Sequence, residues 1–140
     1  MLGKALELVQ SFKFEASIID GEQGRNFVRM QIGGKHLDFY IKEIKNRFIK
    51  EVWLCKKANF SPHNNYLVFI AKEERWVVTT GQEIDRKGEY RESDRYRQHI
   101  EMVVVPMEIF RPAKAFFEAI RKRYDDMLQR KMTEWTPKSI

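Results

Sequence analysis

The sequence predicts one α+β domain. A central mixed or mainly antiparallel β-sheet would be flanked by an N-terminal helix and a long C-terminal helix. Three observations carry this. The chain has 140 residues, near the commonest size of a single domain. Short runs rich in β-branched and aromatic residues recur between turn signals. Apolar residues recur at helical spacing near both ends of the chain. The expected domain covers residues 1–132, with a flexible tail over 133–140.

Gly3 to Phe12 reads as a short amphipathic helix, with Ala5, Leu6, Leu8, Val9 and Phe12 largely on one side. Phe14 to Ile19 is extended, and Asp20-Gly21-Glu22-Gln23-Gly24 is a turn cluster. Asn26 to Ile32 alternates apolar and polar residues, as a half-buried strand does. Gly33-Gly34 signals a hairpin, and His36 to Ile41 is its return strand. Residues 42–57 fit two states: Phe48, Val52 and Cys55 share a helical stripe, yet Ile49 to Leu54 also suits a strand.

Tyr66 to Ala71 is the clearest buried strand, and Arg75 to Thr80 completes a hairpin with it, stopped by Gly81. Residues 82–99 are almost devoid of aliphatic side chains. They predict a long mobile loop, with one helical turn from Ser93, and the sharper alternative is a flap over a polymer substrate, with Tyr90 and Tyr96 stacking and arginines on phosphates. Ile100 to Val105 is a further strand, closed by Pro106. The last helix starts near Pro112, because proline suits the first helical position. Phe116, Phe117, Ile120, Tyr124, Met127 and Leu128 would pack it on the sheet. Trp53, Tyr66, Phe69 and Trp76 read as core or hairpin packing.

Composition narrows the function. The N-terminal apolar run is broken by Lys4 and Glu7, so no signal peptide is expected. No stretch approaches the ~20 apolar residues of a membrane span. One cysteine, Cys55, excludes an internal disulfide and suits a reducing cytoplasm. Its apolar neighbours make it core filler rather than a nucleophile. Cys55, His36, His63 and His99 lack the spacings of a zinc site. There is no nucleophile elbow, dinucleotide-binding turn or P-loop.

The net charge of +6 is unevenly placed. Residues 42–57 and residues 111–131 each carry a net of +4. Lys50, Lys56, Lys57, Lys114, Arg121 and Lys122 are therefore candidate phosphate contacts, if the two segments face one partner. The bland alternative is two solvated faces at opposite ends of the molecule.

The one lead toward chemistry is Phe39-Tyr40-Ile41-Lys42-Glu43-Ile44-Lys45-Asn46-Arg47. On a strand, residues i and i+2 share a face, so Glu43 and Lys45 project together. A second acidic-x-Lys triplet, Asp85-Arg86-Lys87, lacks the strand context. Glu43-Ile44-Lys45-Asn46-Arg47 resembles the Glu-Val-Lys-Thr-Arg signature of the PD-(D/E)XK nuclease superfamily, with its Holliday-junction resolvases and Mrr-type endonucleases. The resemblance covers the order of elements over residues 3–71 and five residues of motif. It implies a restriction-endonuclease-like fold and a DNA endonuclease using Mg²⁺ or Mn²⁺.

Residue by residue, the resemblance makes Glu43 a metal ligand and Lys45 the catalytic lysine, with Arg47 near a phosphate. Glu7 matches a helix-one glutamate of many members. The second metal-binding acid is open. Asp20 needs a long hairpin to approach Glu43. Asp38, an odd five residues before Glu43, faces the other way and lies roughly 16 Å along the strand. A second register pairs Asp38 with Glu51, with Trp53 where lysine belongs and Lys56 as its substitute. Duplex or branched DNA is the implied partner, and a homodimer follows as a corollary. The alternative is a non-catalytic basic module that binds nucleic acid or an acidic protein.

Overall fold

Alternating burial along the strands divides the molecule into three layers: helices, a large mixed sheet, and a small antiparallel sheet. The computed structural model describes residues 1–20, 26–45, 50–93 and 99–134. The turn at 21–24, Phe48, Arg47, the helical turn expected after Ser93 and residues 135–140 of the expected tail lie outside the described residues.

The order of elements is α1 (Leu2–Ser11), β1 (Ala16–Asp20), β2 (Asn26–Ile32), β3 (Lys35–Ile44), β4 (Glu51–Lys56), β5 (Asn65–Ile70), β6 (Arg75–Thr80), α2 (Gly81–Lys87), β7 (Glu89–Ser93), β8 (Ile100–Pro106), β9 (Arg111–Pro112) and α3 (Ala113–Glu134). The large sheet has the order β1-β2-β3-β5-β6-β9, and the small one β4-β8-β7. Only β3 and β5 run parallel, which makes the large sheet mixed. The expected α+β architecture, with a helix at each end of the chain, is the one observed.

Each face of the large sheet buries its own set of residues. On one face, Val28, Met30, Phe39, Leu67 and Val78 pack under α1 and α3 through Ala5, Val9, Ala113 and Phe117. Phe117 is fully buried and meets the rings of Phe12, Phe39 and Phe116 at 5.3–5.5 Å. On the other face, Tyr66, Val68, Ile70 and Val77 pack against Val52, Leu54, Cys55, Val103 and Val105 of the small sheet. Cys55 is core, as expected.

The hairpin turn holds as read: Gly33 adopts φ +59, the left-handed conformation that glycine adopts without strain. Residues 51–56 resolve as strand β4, because pairing with β8 buries Val52 and Leu54 and leaves Glu51, Trp53 and Lys56 outward. Trp53 is thus 38% exposed on the outer face of the small sheet, not in the core.

The expected loop over 82–99 is corrected most. It contains α2 and β7. The Thr80 hydroxyl accepts the Glu83 backbone N–H at 3.2 Å, and Ile84 anchors the helix in the core. Thr80-Gly81-Gln82-Glu83 is a capping-box spacing, the signal that announces this helix in the sequence. Gly81 also permits a close approach: a Cβ there would lie 2.6 Å from the carbonyl oxygens of Pro62 and Asn64. Strand β7 is polar because it is an edge strand. It draws its order from β8, to which all five of its residues are registered.

The last helix begins at Ala113, one residue after the expected proline, and continues past the expected domain end to Glu134. Ile120 packs against the helix-side core, but Met127 and Leu128 are 51% and 42% exposed. Among the described residues, Met127 and Leu128 join neither core.

Candidate functional site

The face and register of β3 decide where each candidate stands. Residues 37, 39 and 41 of β3 pack in the helix-side core, so Glu43, of the same parity, lies on the helix side. It is half-buried and sits beside Phe69 of β5, which in turn sits beside Trp76 of β6. Lys4 of α1 places its ammonium 5.8 Å from the centre of the Phe69 ring. Lys45 follows the strand and is exposed.

Asp20 is the last residue of β1 rather than part of a turn. Ala16 and Ile18 are registered with Met30 and Val28 of the helix-side core, so Asp20 shares the helix side with Glu43. It is paired with Asn26, which precedes the Phe27–Tyr40 pair and so stands level with Ile41. Two strand spacings across and two residues along separate the Cα atoms of Asp20 and Glu43 by roughly 12 Å. Glu7 is exposed on α1, one turn beyond Lys4. Glu43 and Asp20 thus share the helix side of the sheet, toward the end where β1 and β3 finish, while Lys45 follows β3 at that end and Glu7 lies on α1.

Two helices begin at this end. The Lys4–Phe69 contact places the start of α1 there, and β9, which leads into α3, is registered with Val77 and Val78. Tyr124, farther along α3, lies by Gly33 at the opposite end of β3. Both helices therefore direct their N-termini, the positive ends of their dipoles, toward the Glu43 end.

The second register is not assembled. Asp38 lies on the opposite face of β3 and accepts two hydrogen bonds from the Arg29 guanidinium, at 2.8 and 3.0 Å. That contact raises the Arg29 pKa above its ordinary value, chiefly through the hydrogen bond. Glu51 belongs to the small sheet and accepts a 2.7 Å hydrogen bond from Arg91. Arg91 also binds Glu89, and hydrogen bonds to both carboxylates raise its pKa. The two acids sit in different sheets, and each is occupied by an arginine.

The basic candidates divide between outer layers. Lys50, Lys56 and Lys57 belong to the side of the small sheet, whereas Lys114, Arg121 and Lys122 belong to α3 across the large sheet. Lys57 pairs with Glu101 at 3.2 Å and lies 4.6 Å over the Tyr90 ring. Arg121 donates to the Lys13 carbonyl at 3.0 Å, pairs with Asp125 at 3.2 Å and lies over the Phe14 ring. It fastens α3 to the α1–β1 connection. Lys114 stands 3.9 Å from Glu118, and Lys50, Lys56 and Lys122 are exposed. Among the described residues, the candidate cations of the two segments lie on opposite sides of the large sheet. Sequence reasoning missed Lys4, because no local pattern links residue 4 to residues 43 and 69.

A Mg²⁺ ion binds through one or two carboxylates, with waters and substrate phosphate completing its six ligands. Glu43 offers one such carboxylate, and Asp20 offers another on the same side. Among the described residues, no group of three His, Cys, Asp or Glu could by itself hold a metal ion.

These features define a three-layered α+β protein with Glu43, Asp20 and Lys4 on the helix side of its mixed sheet. No protein-family model matches the chain, and no curated protein matches it in sequence. Its fold is similar to that of D212, a nuclease from a fusselovirus, over 90% of both chains, at 11% identity and a TM-score of 0.50. No helix among the described residues is long and apolar enough to cross a membrane.

Proposed function

We propose that the chain is a nuclease that hydrolyses DNA phosphodiester bonds with Mg²⁺ or Mn²⁺ at the Glu43 end of β3. What supports this is that Glu43 and Asp20 lie on the helix side toward one end of the sheet, with Lys4 over the neighbouring Phe69 ring. The fold likeness to the viral nuclease D212 supports the same reading. Glu43 would hold the metal, with Asp20 as the second carboxylate and Glu7 at the margin. Bound there, the ion would stabilise charge on the phosphate and lower the pKa of a water. Lys45 would orient that water or neutralise the phosphate. Arg47, two residues on, would add a phosphate contact, as would the exposed lysines nearest this end.

The test is nicking of supercoiled plasmid and cleavage of branched DNA in Mn²⁺, with and without a chelator. Chelator-sensitive cleavage that disappears in Glu43→Ala supports the reading. Clean wild-type protein that cleaves neither substrate contradicts it. Sedimentation in the same buffer tests the expected dimer.

A second reading is a non-catalytic basic module for nucleic acid or an acidic protein. The lack of a three-ligand group among the described residues favours it. Binding to phosphates should weaken steeply as salt rises, whereas binding to a protein partner should depend on salt far less.

A further inference from the structure

Glu43, Phe69 and Trp76 are consecutive partners across three neighbouring strands, so they form one row on the helix side of the sheet. The next row inward, Ile41, Leu67 and Val78, belongs to the helix-side core, and Leu67 and Val78 are fully buried there. The outer row is different: all three of its residues are only half-buried. A carboxylate in the row marks it as the boundary with water, since an unpaired buried charge is costly. The Phe69 and Trp76 rings lie 5.0 Å apart with an interplanar angle of 43°, and Lys4 stands over Phe69. An aromatic surface thus lies directly beside the candidate catalytic carboxylate, with a cation above it and Lys45 two residues further along the chain.

We infer that Phe69 and Trp76 form a stacking platform for an unpaired nucleobase next to the phosphate held at Glu43. The substrate class is then single-stranded DNA, or the unpaired part of a branched molecule, rather than continuous duplex. Charge complementarity selects this occupant: a nucleotide combines a flat π-face for the rings with an anionic phosphate for Lys4 and Lys45. A base offers its face only where it is unstacked, which continuous duplex denies. Substrate choice thus follows from the row, and it rests on the nuclease reading only for the position of the phosphate.

The test uses the full chain with Trp53→Phe and Trp135→Phe, leaving Trp76 as its one indole. A short oligothymidylate and a duplex of equal length are titrated without divalent metal, following Trp76 emission. The expected result is quenching by the single strand and little change with the duplex. In the otherwise native chain, Trp76→Leu and Phe69→Leu should each weaken single-strand binding about five- to hundredfold, the range of one base–aromatic stack. Duplex binding should stay unchanged. Thermal melts confirm that the variants fold, and the quenching itself needs no substitution at Phe69 or Trp76. Binding without quenching, no single-strand binding, or equal losses on duplex would each overturn the inference. Quenching that persists in a chain unable to cleave would leave the platform standing while the nuclease reading falls. Cleavage without quenching would do the reverse.

Discussion

Asp38 and Glu43 lie five residues apart on one strand and serve different ends. Asp38 points toward the small-sheet side, where Arg29 grips it through two hydrogen bonds. Glu43 points toward the helices, beside Phe69, and has no ion pair among the described residues. The odd spacing alone separates them, because a strand alternates its faces. A carboxylate gripped by a guanidinium contributes to the fold. One left half-buried, in the row below a lysine, is available to a cation or a phosphate network. Candidate chemistry in this chain is thus sorted by which face a carboxylate occupies and whether an arginine has claimed it.

The largest effect should come from the frame that both acids share. Phe117 is fully buried against Phe39, which lies between Asp38 and Glu43 along β3. Phe117→Ala should cost about 3–5 kcal/mol, as large cavities in cores do. Chemical denaturation measures it, and a cost below ~1 kcal/mol would mean that the helix layer is not packed as described.

Next in size is the functional side of the comparison. Lys45→Ala should lower cleavage by roughly 100-fold or more if the lysine orients the attacking water. Its melting temperature should not move, since Lys45 is exposed. Equal activity of Lys45→Ala and wild type would remove Lys45 from the site.

Asp38→Ala should show the opposite pattern. It strands Arg29 and lowers the melting temperature measurably, while cleavage per folded molecule persists. Loss of cleavage without loss of stability would transfer the catalytic role to the other face.

The smallest effect lies under the Asp38 side of the sheet. Tyr66 is buried, and its hydroxyl donates to the Ser61 carbonyl and accepts the Ser61 N–H. Burial, the leading cause, pushes its pKa from 10.0 up to about 12. The folded state then holds the phenolic proton more tightly than the unfolded one. Stability from this term is complete below pH 10 and is lost as pH rises toward 12. Denaturation across that window should show the loss in wild type and a smaller slope in Tyr66→Phe.

Much of this was legible in the sequence because short strands announce themselves by alternation. The 26–32 and 35–44 hairpin, the 65–70 strand and both terminal helices follow from local pattern. Strand β7 does not, because Glu89-Tyr90-Arg91-Glu92-Ser93 has no apolar face and is ordered only by pairing with β8. Strand β4 was ambiguous for the same reason: the choice between helix and strand was made by a partner some fifty residues away. At the site, the place of Glu43 near the end of a strand was readable, although β3 ends at Ile44, before Lys45. The row Glu43–Phe69–Trp76 was not, since it depends on a parallel pairing of β3 with β5 that no local signal encodes. The end of α3 was misread because an apolar stripe does not reveal which of its residues join a core.

The most direct test places the two acids side by side. Glu43→Gln and Asp38→Asn keep side-chain size and change only the charge. Each would be assayed in Mn²⁺ on supercoiled plasmid and on branched DNA carrying unpaired ends. The account predicts cleavage lost in Glu43→Gln and retained in Asp38→Asn, with branched DNA preferred by the active proteins. Cleavage retained in Glu43→Gln, or lost only in Asp38→Asn, would contradict it.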